Sequence, residues 1–138
     1  MKATKKIATL FLTAAIAIMF VMGSAAQAQQ AKAKPWPVGD KDKTMKAPGK
    51  PDPANGKELW AKHCKSCHGS KGLGDGPKAA GLKTFPGDFS AAAFQGSTDG
   101  ELFFRTSKGR DEMPAYEKKI PEAKDRWDLV GYMRSFKK

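Results

Sequence analysis

The side chains best suited to chemistry are concentrated in one pentapeptide, Cys64-Lys65-Ser66-Cys67-His68, which holds both cysteines of the chain. Two cysteines three residues apart with an adjacent histidine have the C-x-x-C-H spacing of covalent haem attachment. When this segment forms one helical turn, each thiol can bond to one haem vinyl group through a thioether, and the imidazole can ligate the iron. The motif therefore predicts one haem c bound through Cys64 and Cys67, with His68 as a metal ligand.

Three other uses of the cysteines are weaker. A structural zinc ion needs four ligands, and the candidates His63, Cys64, Cys67 and His68 all lie within six residues, too cramped for the usual pairs of ligands. A thioredoxin-like dithiol belongs to a βαβ context, and the chain after residue 28 has few β-branched residues to build one. A disulfide between the cysteines would close a very short loop and would constrain the unfolded chain little.

A six-coordinate iron needs a second axial ligand, for which the candidates are Met45, His63, Met113 and Met133. His63 directly precedes the motif, so its backbone is held on the proximal side of the ring. Met133 falls on the apolar face of a predicted helix, and Met45 lies in a segment with little to bury. Met113 precedes a proline, whose fixed φ restricts the loop. Because methionine is an established partner of histidine on haem iron, Met113 is the predicted distal ligand.

The rest of the chain must position these groups, and its pattern predicts helices. Asp52 is an N-cap residue before Pro53 at the first helical position, and apolar residues then recur at three- and four-residue intervals up to the motif. The glycine-rich stretch 69–87 cannot stay regular for long. Thr98-Asp99-Gly100-Glu101 is a capping box that opens a short helix, and Pro121 opens a last, amphipathic one. Together with the scarcity of sheet-forming residues, this predicts an all-α fold.

The first 28 residues predict an export signal. Three lysines precede an uncharged apolar run over residues 7–22, and the small-residue site Ala26-Gln27-Ala28 follows. We therefore expect cleavage after Ala28 and a periplasmic location. The apolar run is about 16 residues long, short of the roughly 20 that span a bilayer. A retained N-terminus, which would anchor the protein in the membrane facing the periplasm, is the alternative.

Residues 29–52 are rich in Lys, Pro and Ala and contain little to bury, which predicts a flexible tether. Trp36, between two prolines, is either a docking element for a partner or a lone aromatic in a solvated tail. Residues 53–138 then form the single ordered domain. A domain of this size builds a marginal core from its own side chains, so we expect a covalently attached haem to supply the missing apolar volume.

From about Ala54 to Lys138 the chain resembles a class I c-type cytochrome, of the bacterial monohaem type also found as haem domains of terminal oxidases. The matching elements are Gly56 and Trp60 before the motif, the segment Gly72–Pro77, Met113-Pro114 and Trp127–Arg134. The resemblance implies helices packed around one haem, with the N- and C-terminal helices crossing.

In that family the small glycine of the first helix receives aliphatic and aromatic residues of the last. The resemblance therefore implies that Gly56 and Trp60 meet Leu129 and Tyr132. It also implies that a proline carbonyl orients the proximal imidazole. Pro77 is the best match for that proline, with Pro86 as the alternative.

An iron with both axial positions filled has no vacancy for oxygen or peroxide, so the prediction is a periplasmic one-electron carrier and not an enzyme. Two alternatives stay open. The protein could be a membrane-tethered cytochrome c subunit of an oxidase or reductase complex. It could also be a haem ligand-binding or sensor protein, in which Met113 dissociates.

The formal net charge of the chain is +11. The basic residues that cluster near the motif and the methionine loop predict redox partners with acidic docking patches. The basic residues near the motif and the methionine loop are Lys62, Lys65, Lys71, Lys78, Lys83, Arg105, Lys108 and Arg110. A solvated basic surface that only maintains solubility explains the same residues. We expect a monomer, and export argues against a nucleic acid partner.

Overall fold

The computed structural model describes residues 36–138 of the 138-residue chain. The predicted export signal over residues 1–28 lies outside this range, as does the part of the predicted tether before Trp36. Within the described range the helices are α1 (Asp40–Lys43), α2 (Pro53–His63), α3 (Lys65–His68), a 3₁₀ turn (Ala79–Gly81), α4 (Ala92–Gln95), α5 (Asp99–Lys108) and α6 (Ala123–Arg134). Residues 36–138 form no strand, so the predicted all-α class is confirmed.

The helix boundaries follow local capping signals. The Asp52 carboxylate accepts hydrogen bonds from the backbone amides of Ala54 (2.9 Å) and Asn55 (3.4 Å), which starts α2. At α5, the Thr98 hydroxyl accepts from the Glu101 amide and the Glu101 carboxylate accepts from the Thr98 amide, so the predicted capping box is present. The last helix begins at Ala123, two residues after Pro121.

The two long terminal helices cross at Gly56. A β-carbon at this position would overlap the backbone carbonyl oxygen of Asp128 and would lie 2.8 Å from the Tyr132 β-carbon. Only glycine therefore lets the backbones of α2 and α6 approach this closely. Trp60, one turn further on, packs edge-on against Tyr132 with ring centroids 6.0 Å apart. The crossing of the N- and C-terminal helices implied by the family resemblance is confirmed.

We expect Gly56→Ala to destabilise the fold by about 1–3 kcal/mol, because the added methyl group meets backbone atoms that cannot rotate away. Chemical denaturation monitored by circular dichroism measures the change. Gly81→Ala is the matched control, since a β-carbon there has no atom within 4 Å. Equal stability of the two variants would contradict the close crossing.

Apolar side chains fill two clusters around the crossing. One surrounds the start of the cysteine motif and contains Trp60, Cys64, Phe89, Tyr116, Ile120, Leu129 and Met133. The other lies between α5 and α6 and contains Leu102, Phe103, Trp127 and Val130. In the second cluster the rings of Phe103 and Trp127 stack with centroids 4.2 Å apart.

The carboxylate of Asp128, which has no exposed surface, joins the start of α2 to α6. It accepts hydrogen bonds from the backbone amide of Asp52 (2.8 Å), the side-chain amide of Asn55 (2.9 Å) and the ammonium group of Lys124 (2.7 Å). Desolvation raises the pKa of this carboxyl, but the hydrogen bonds from Lys124, Asn55 and Asp52 outweigh it and hold the pKa below its ordinary value of 3.8.

Because the pKa of Asp128 is lower in the folded than in the unfolded chain, its contribution to stability is present above pH 3.8. This contribution is lost as the pH falls through the folded-state pKa. We expect Asp128→Asn to lower stability at neutral pH by about 1–3 kcal/mol and to reduce the loss of stability on acidification. Thermal unfolding between pH 7 and pH 2 measures both effects, with Glu58→Gln, an exposed position on α2, as the control. An unchanged slope below pH 4 would contradict the predicted ionisation.

The structure differs from the expected flexible tether over residues 36–52, a segment called here the N-terminal strap. Its Val38 is 8 % exposed. The carbonyl of Lys43 accepts a hydrogen bond from the Thr98 hydroxyl at 2.7 Å, and a β-carbon on Gly100 would overlap the Asp42 carbonyl oxygen. The strap therefore lies against the start of α5. Specific contacts hold the strap against α5, whereas the composition predicted no packing for this segment. The division between tether and domain at residue 52 stays a prediction.

Trp36 is one of these contacts. The guanidinium carbon of Arg110 lies 4.4 Å from the centroid of the indole ring, and that of Arg105 lies 5.9 Å from it. Both distances are in the range of cation–π attraction, which anchors the aromatic side chain on the protein surface. In this arrangement Trp36 packs on its own chain, beside the turn that carries Met113.

Candidate functional site

The C-x-x-C-H motif begins at Cys64, between the end of α2 and the one-turn helix α3. The Cys64 carbonyl accepts hydrogen bonds from the amides of Cys67 (3.2 Å) and His68 (3.0 Å), so one turn carries both sulfur atoms and the imidazole. Both cysteines are free thiols. Cys64 is 7 % exposed and Cys67 is half-buried. This is the arrangement that two thioether bonds to one planar group require.

The ring of His68 rests on aromatic side chains. Its centroid lies 4.8 Å from that of Phe89 and 5.7 Å from that of Trp60. Trp60 is itself fixed, because its indole nitrogen donates a buried hydrogen bond of 3.0 Å to the Gly69 carbonyl. The Nδ1 atom of His68 is buried and has no hydrogen-bond partner among the described residues, although the residue as a whole is only half-buried.

Burial lowers the pKa of His68 to about 4, and a backbone interaction with Pro86 partly opposes this shift. The imidazole is therefore neutral at pH 7, which is the form that binds a metal ion. The opposing effect indicates that the Pro86 backbone faces the ring, although no hydrogen bond of ordinary geometry reaches Nδ1. A carbonyl in that place can orient the histidine of a metal site.

The structure thus brings Pro86 to His68, whereas Pro77 is exposed behind α3. The loop around Pro77 folds back on the motif, since the Gly76 amide donates to the Cys67 carbonyl (3.2 Å) and the Lys78 amide donates to the Ser66 carbonyl (2.8 Å). The structure favours the alternative, Pro86, for the orienting carbonyl. The choice depends on the path of the loop, which the sequence pattern does not determine.

Tyr116 is a site residue that the sequence analysis did not identify. Its hydroxyl donates a hydrogen bond of 2.8 Å to the His63 carbonyl at the end of α2. Burial first, and then the nearby Cys64 and Cys67, raise the pKa of Tyr116 to about 12. Burial, assisted by Cys67, likewise raises the pKa of the Cys64 thiol to about 12. Tyr116 therefore ties the segment that follows Met113 to the cysteine motif.

Met113 lies in a tight turn after α5. Its amide donates to the Arg110 carbonyl at 2.9 Å, and its carbonyl accepts from the Arg110 amide at 2.8 Å. Asp111 in the turn has a φ of 52°, in the left-handed region. Met113 is half-buried, Met45 is 38 % exposed, and Met133 is 4 % exposed within the core. Met133 lies in the core and Met45 is exposed, as the sequence predicted. The role of Met113 as a ligand stays a prediction.

The residues of this site fit a covalently bound haem. Two thiols that form no disulfide share one helical turn with an imidazole whose buried Nδ1 has no hydrogen-bond partner among the described residues. Apolar side chains that can contact a macrocycle, including Phe89 and Tyr116, surround the motif. Residues 36–138 contain no group of three or more His, Cys, Asp or Glu side chains placed to hold a bare metal ion.

Comparisons with known proteins support this interpretation. The family model described as cytochrome C oxidase, cbb3-type, subunit III matches residues 51–133, more than half of the chain. A solved structure of the KustC0563 c-type cytochrome is 29 % identical over 60 % of this chain and 98 % of its own, with a TM-score of 0.53. No curated protein matches the chain.

A second solved structure belongs to the Kuenenia stuttgartiensis reducing HAO-like protein complex Kustc0457/Kustc0458. The matched chain is 26 % identical to this one, with a TM-score of 0.60, and the match covers 78 % of this chain. The match covers only 53 % of that longer chain. The present chain therefore corresponds to about half of the Kuenenia stuttgartiensis chain.

The helical fold, the crossing at Gly56 and the C-x-x-C-H turn define a class I c-type cytochrome. Within that class, the chain belongs to the family of cytochrome C oxidase, cbb3-type, subunit III. Proteins of this class carry covalently bound haem c, and Cys64 and Cys67 supply the C-x-x-C pair.

Proposed function

We propose that this protein is a periplasmic one-electron carrier whose haem c is held by Cys64, Cys67 and His68, with Met113 as the second axial ligand. The observation that carries the proposal is the single turn on which Cys64, Cys67 and the half-buried imidazole of His68 lie together. The bound haem supplies the one-electron couple. Everything else in the mechanism belongs to the chain's own side chains.

Each side chain has a distinct part in this mechanism. The thiols of Cys64 and Cys67 would attach the haem to the chain covalently. The neutral imidazole of His68 offers a lone pair, and Trp60 and Phe89 hold the ring against rotation. A thioether from Met113 would favour the reduced state relative to a second nitrogen ligand. If His68 and Met113 both held the haem iron, no position would be left for oxygen or peroxide, and the haem would supply one-electron transfer.

The basic surface supports transient docking to acidic partners. The exposed basic residues of the predicted set are Lys62, Lys65, Lys71, Lys78, Lys83 and Lys108. Arg105 and Arg110 lie against Trp36 and are half-buried, so they contribute less to that surface. Lys108 is paired with Glu117 at 2.8 Å. The lysines around the motif are therefore the best candidates for steering a redox partner.

A second candidate function is a subunit of a larger redox complex. It is favoured by the similarity to a chain of the Kuenenia stuttgartiensis complex. In the described range 36–138, no helix is long and apolar enough to cross a membrane. The mass of the exported protein tests the membrane-tethered form of this candidate, because a retained N-terminus supports the tether and loss of residues 1–28 supports the free carrier.

Visible absorption spectra of the purified protein, oxidised and reduced, with the denatured pyridine adduct, test the proposed function. We expect the pyridine adduct of haem c and a ferrous spectrum that carbon monoxide does not change at neutral pH. Uptake of carbon monoxide would favour a ligand-binding or sensor protein over a carrier. Absence of a haem c adduct would contradict both.

A further inference from the structure

Glu112, next to Met113, makes a contact across the site that the proposed electron transfer does not by itself require. One carboxylate oxygen accepts a hydrogen bond from the Lys83 amide at 2.8 Å and from the Thr84 amide at 3.1 Å, and the other lies 3.1 Å from the Lys83 amide. Hydrogen bonds to an ionised carboxylate are stronger than neutral ones. One side chain therefore binds two successive backbone amides that are 28 and 29 residues away in the sequence.

These amides belong to the segment that reaches His68. Phe89, whose ring centroid lies 4.8 Å from that of His68, is five residues beyond Thr84. The next backbone amide along the chain that donates a hydrogen bond to another backbone group is that of Phe89, which donates to the Gly72 carbonyl at 2.7 Å. Glu112 thus holds the start of a segment that has no helix or strand to fix it.

The Glu112 carboxylate extends from the turn that contains Met113. The backbone bridge between Arg110 and Met113 closes that turn, and within it the Glu112 carboxylate accepts the hydrogen bonds from Lys83 and Thr84. The contact therefore joins the two segments proposed to place the axial groups, one on the side of His68 and one on the side of Met113.

We propose that Glu112 is a positioning residue that holds the Met113 turn at a fixed place relative to the Pro86 segment, and so keeps the methionine on the iron. This inference rests on the proposed function, because it takes Met113 as the distal ligand. A carboxylate suits the task because the oxygen that accepts from both amides is charged, and a charged acceptor makes stronger hydrogen bonds than the neutral amide oxygen of Gln.

Imidazole binding to the ferric holoprotein tests the proposal, since imidazole competes with a methionine ligand. We expect Glu112→Ala to raise the imidazole affinity by about tenfold, the effect of losing a charged hydrogen-bond acceptor, and to lower the reduction potential. Glu112→Gln should give a smaller change. Amide hydrogen exchange at Lys83 and Thr84 should accelerate in both variants. The control is Glu122→Gln, which removes the same charge at a position that makes no capping hydrogen bond.

Two outcomes separate this proposal from the proposed function. If Met113→Ala raises imidazole affinity while Glu112→Ala matches Glu122→Gln, the role of Glu112 is overturned and the ligand assignment stands. If Met113→Ala leaves imidazole affinity unchanged, the assignment of Met113 fails and the role of Glu112 fails with it. Faster exchange at Lys83 and Thr84 without any change in potential or imidazole affinity would identify a structural contact only, and would also overturn the proposal.

Discussion

The Cys64→Ala/Cys67→Ala double variant is expected to release all of its haem into acidified organic solvent after denaturation, whereas the parent protein retains all of it. The reason is that the two thioethers are the only covalent bonds that the motif can make to the cofactor. Cys64 belongs to the core cluster around Trp60. Because loss of the haem would remove apolar contacts from this cluster, we also expect the double variant to lose helical structure. Solvent extraction and far-ultraviolet circular dichroism measure the two effects.

The single variants provide an internal comparison for this result. Cys64→Ala and Cys67→Ala each leave one thiol that can form one thioether, so partial retention is expected. Ser66→Ala is a matched control, since it changes the same turn without removing a thiol that can attach the cofactor. Haem that stays with the denatured double variant would refute attachment through these cysteines.

The Met113→Ala variant is expected to keep its covalent haem but to bind imidazole and, when reduced, carbon monoxide. Removing a thioether ligand leaves the distal position open to added ligands, and a nitrogen ligand in its place lowers the reduction potential. We expect full conversion by imidazole at concentrations that leave the parent unchanged. Visible spectroscopy and potentiometry measure these changes.

Met133→Leu and Met45→Ala are the controls for this prediction. Met133 is buried in the core, where leucine has nearly the same volume, and Met45 is exposed. Both variants should keep the spectrum of the parent. A Met113→Ala spectrum identical to that of the parent would show that another residue is the distal ligand.

The parts of the site that the sequence predicted are those whose geometry is local. Cys64, Cys67 and His68 meet because one helical turn brings them together, whatever the rest of the fold does. The Asp52 cap and the capping box at Thr98 are equally local, since each pairs a side chain with amides two or three residues ahead. The crossing at Gly56 is not local and came from resemblance to a family.

The parts that the sequence did not predict depend on contacts between distant residues. Pro86, and not Pro77, faces His68 because of the path that the glycine-rich loop takes. Tyr116 reaches the carbonyl of His63, 53 residues away, and Glu112 reaches amides in another loop. In each case the residue type alone is compatible with an ordinary surface position. Only the fold distinguishes these residues from their neighbours.

Because the N-terminal strap packs on the domain, it limits the distance that a membrane-anchored domain could reach from the membrane surface. A fully extended chain spans at most about 3.5 Å per residue, so an arm over residues 29–52 would reach about 80 Å. With the strap held from Trp36 onward, about seven residues remain between residue 28 and the domain, and the limit falls to about 25 Å. A retained anchor would thus restrict electron exchange to partners close to the membrane surface, whereas cleavage would remove that restriction.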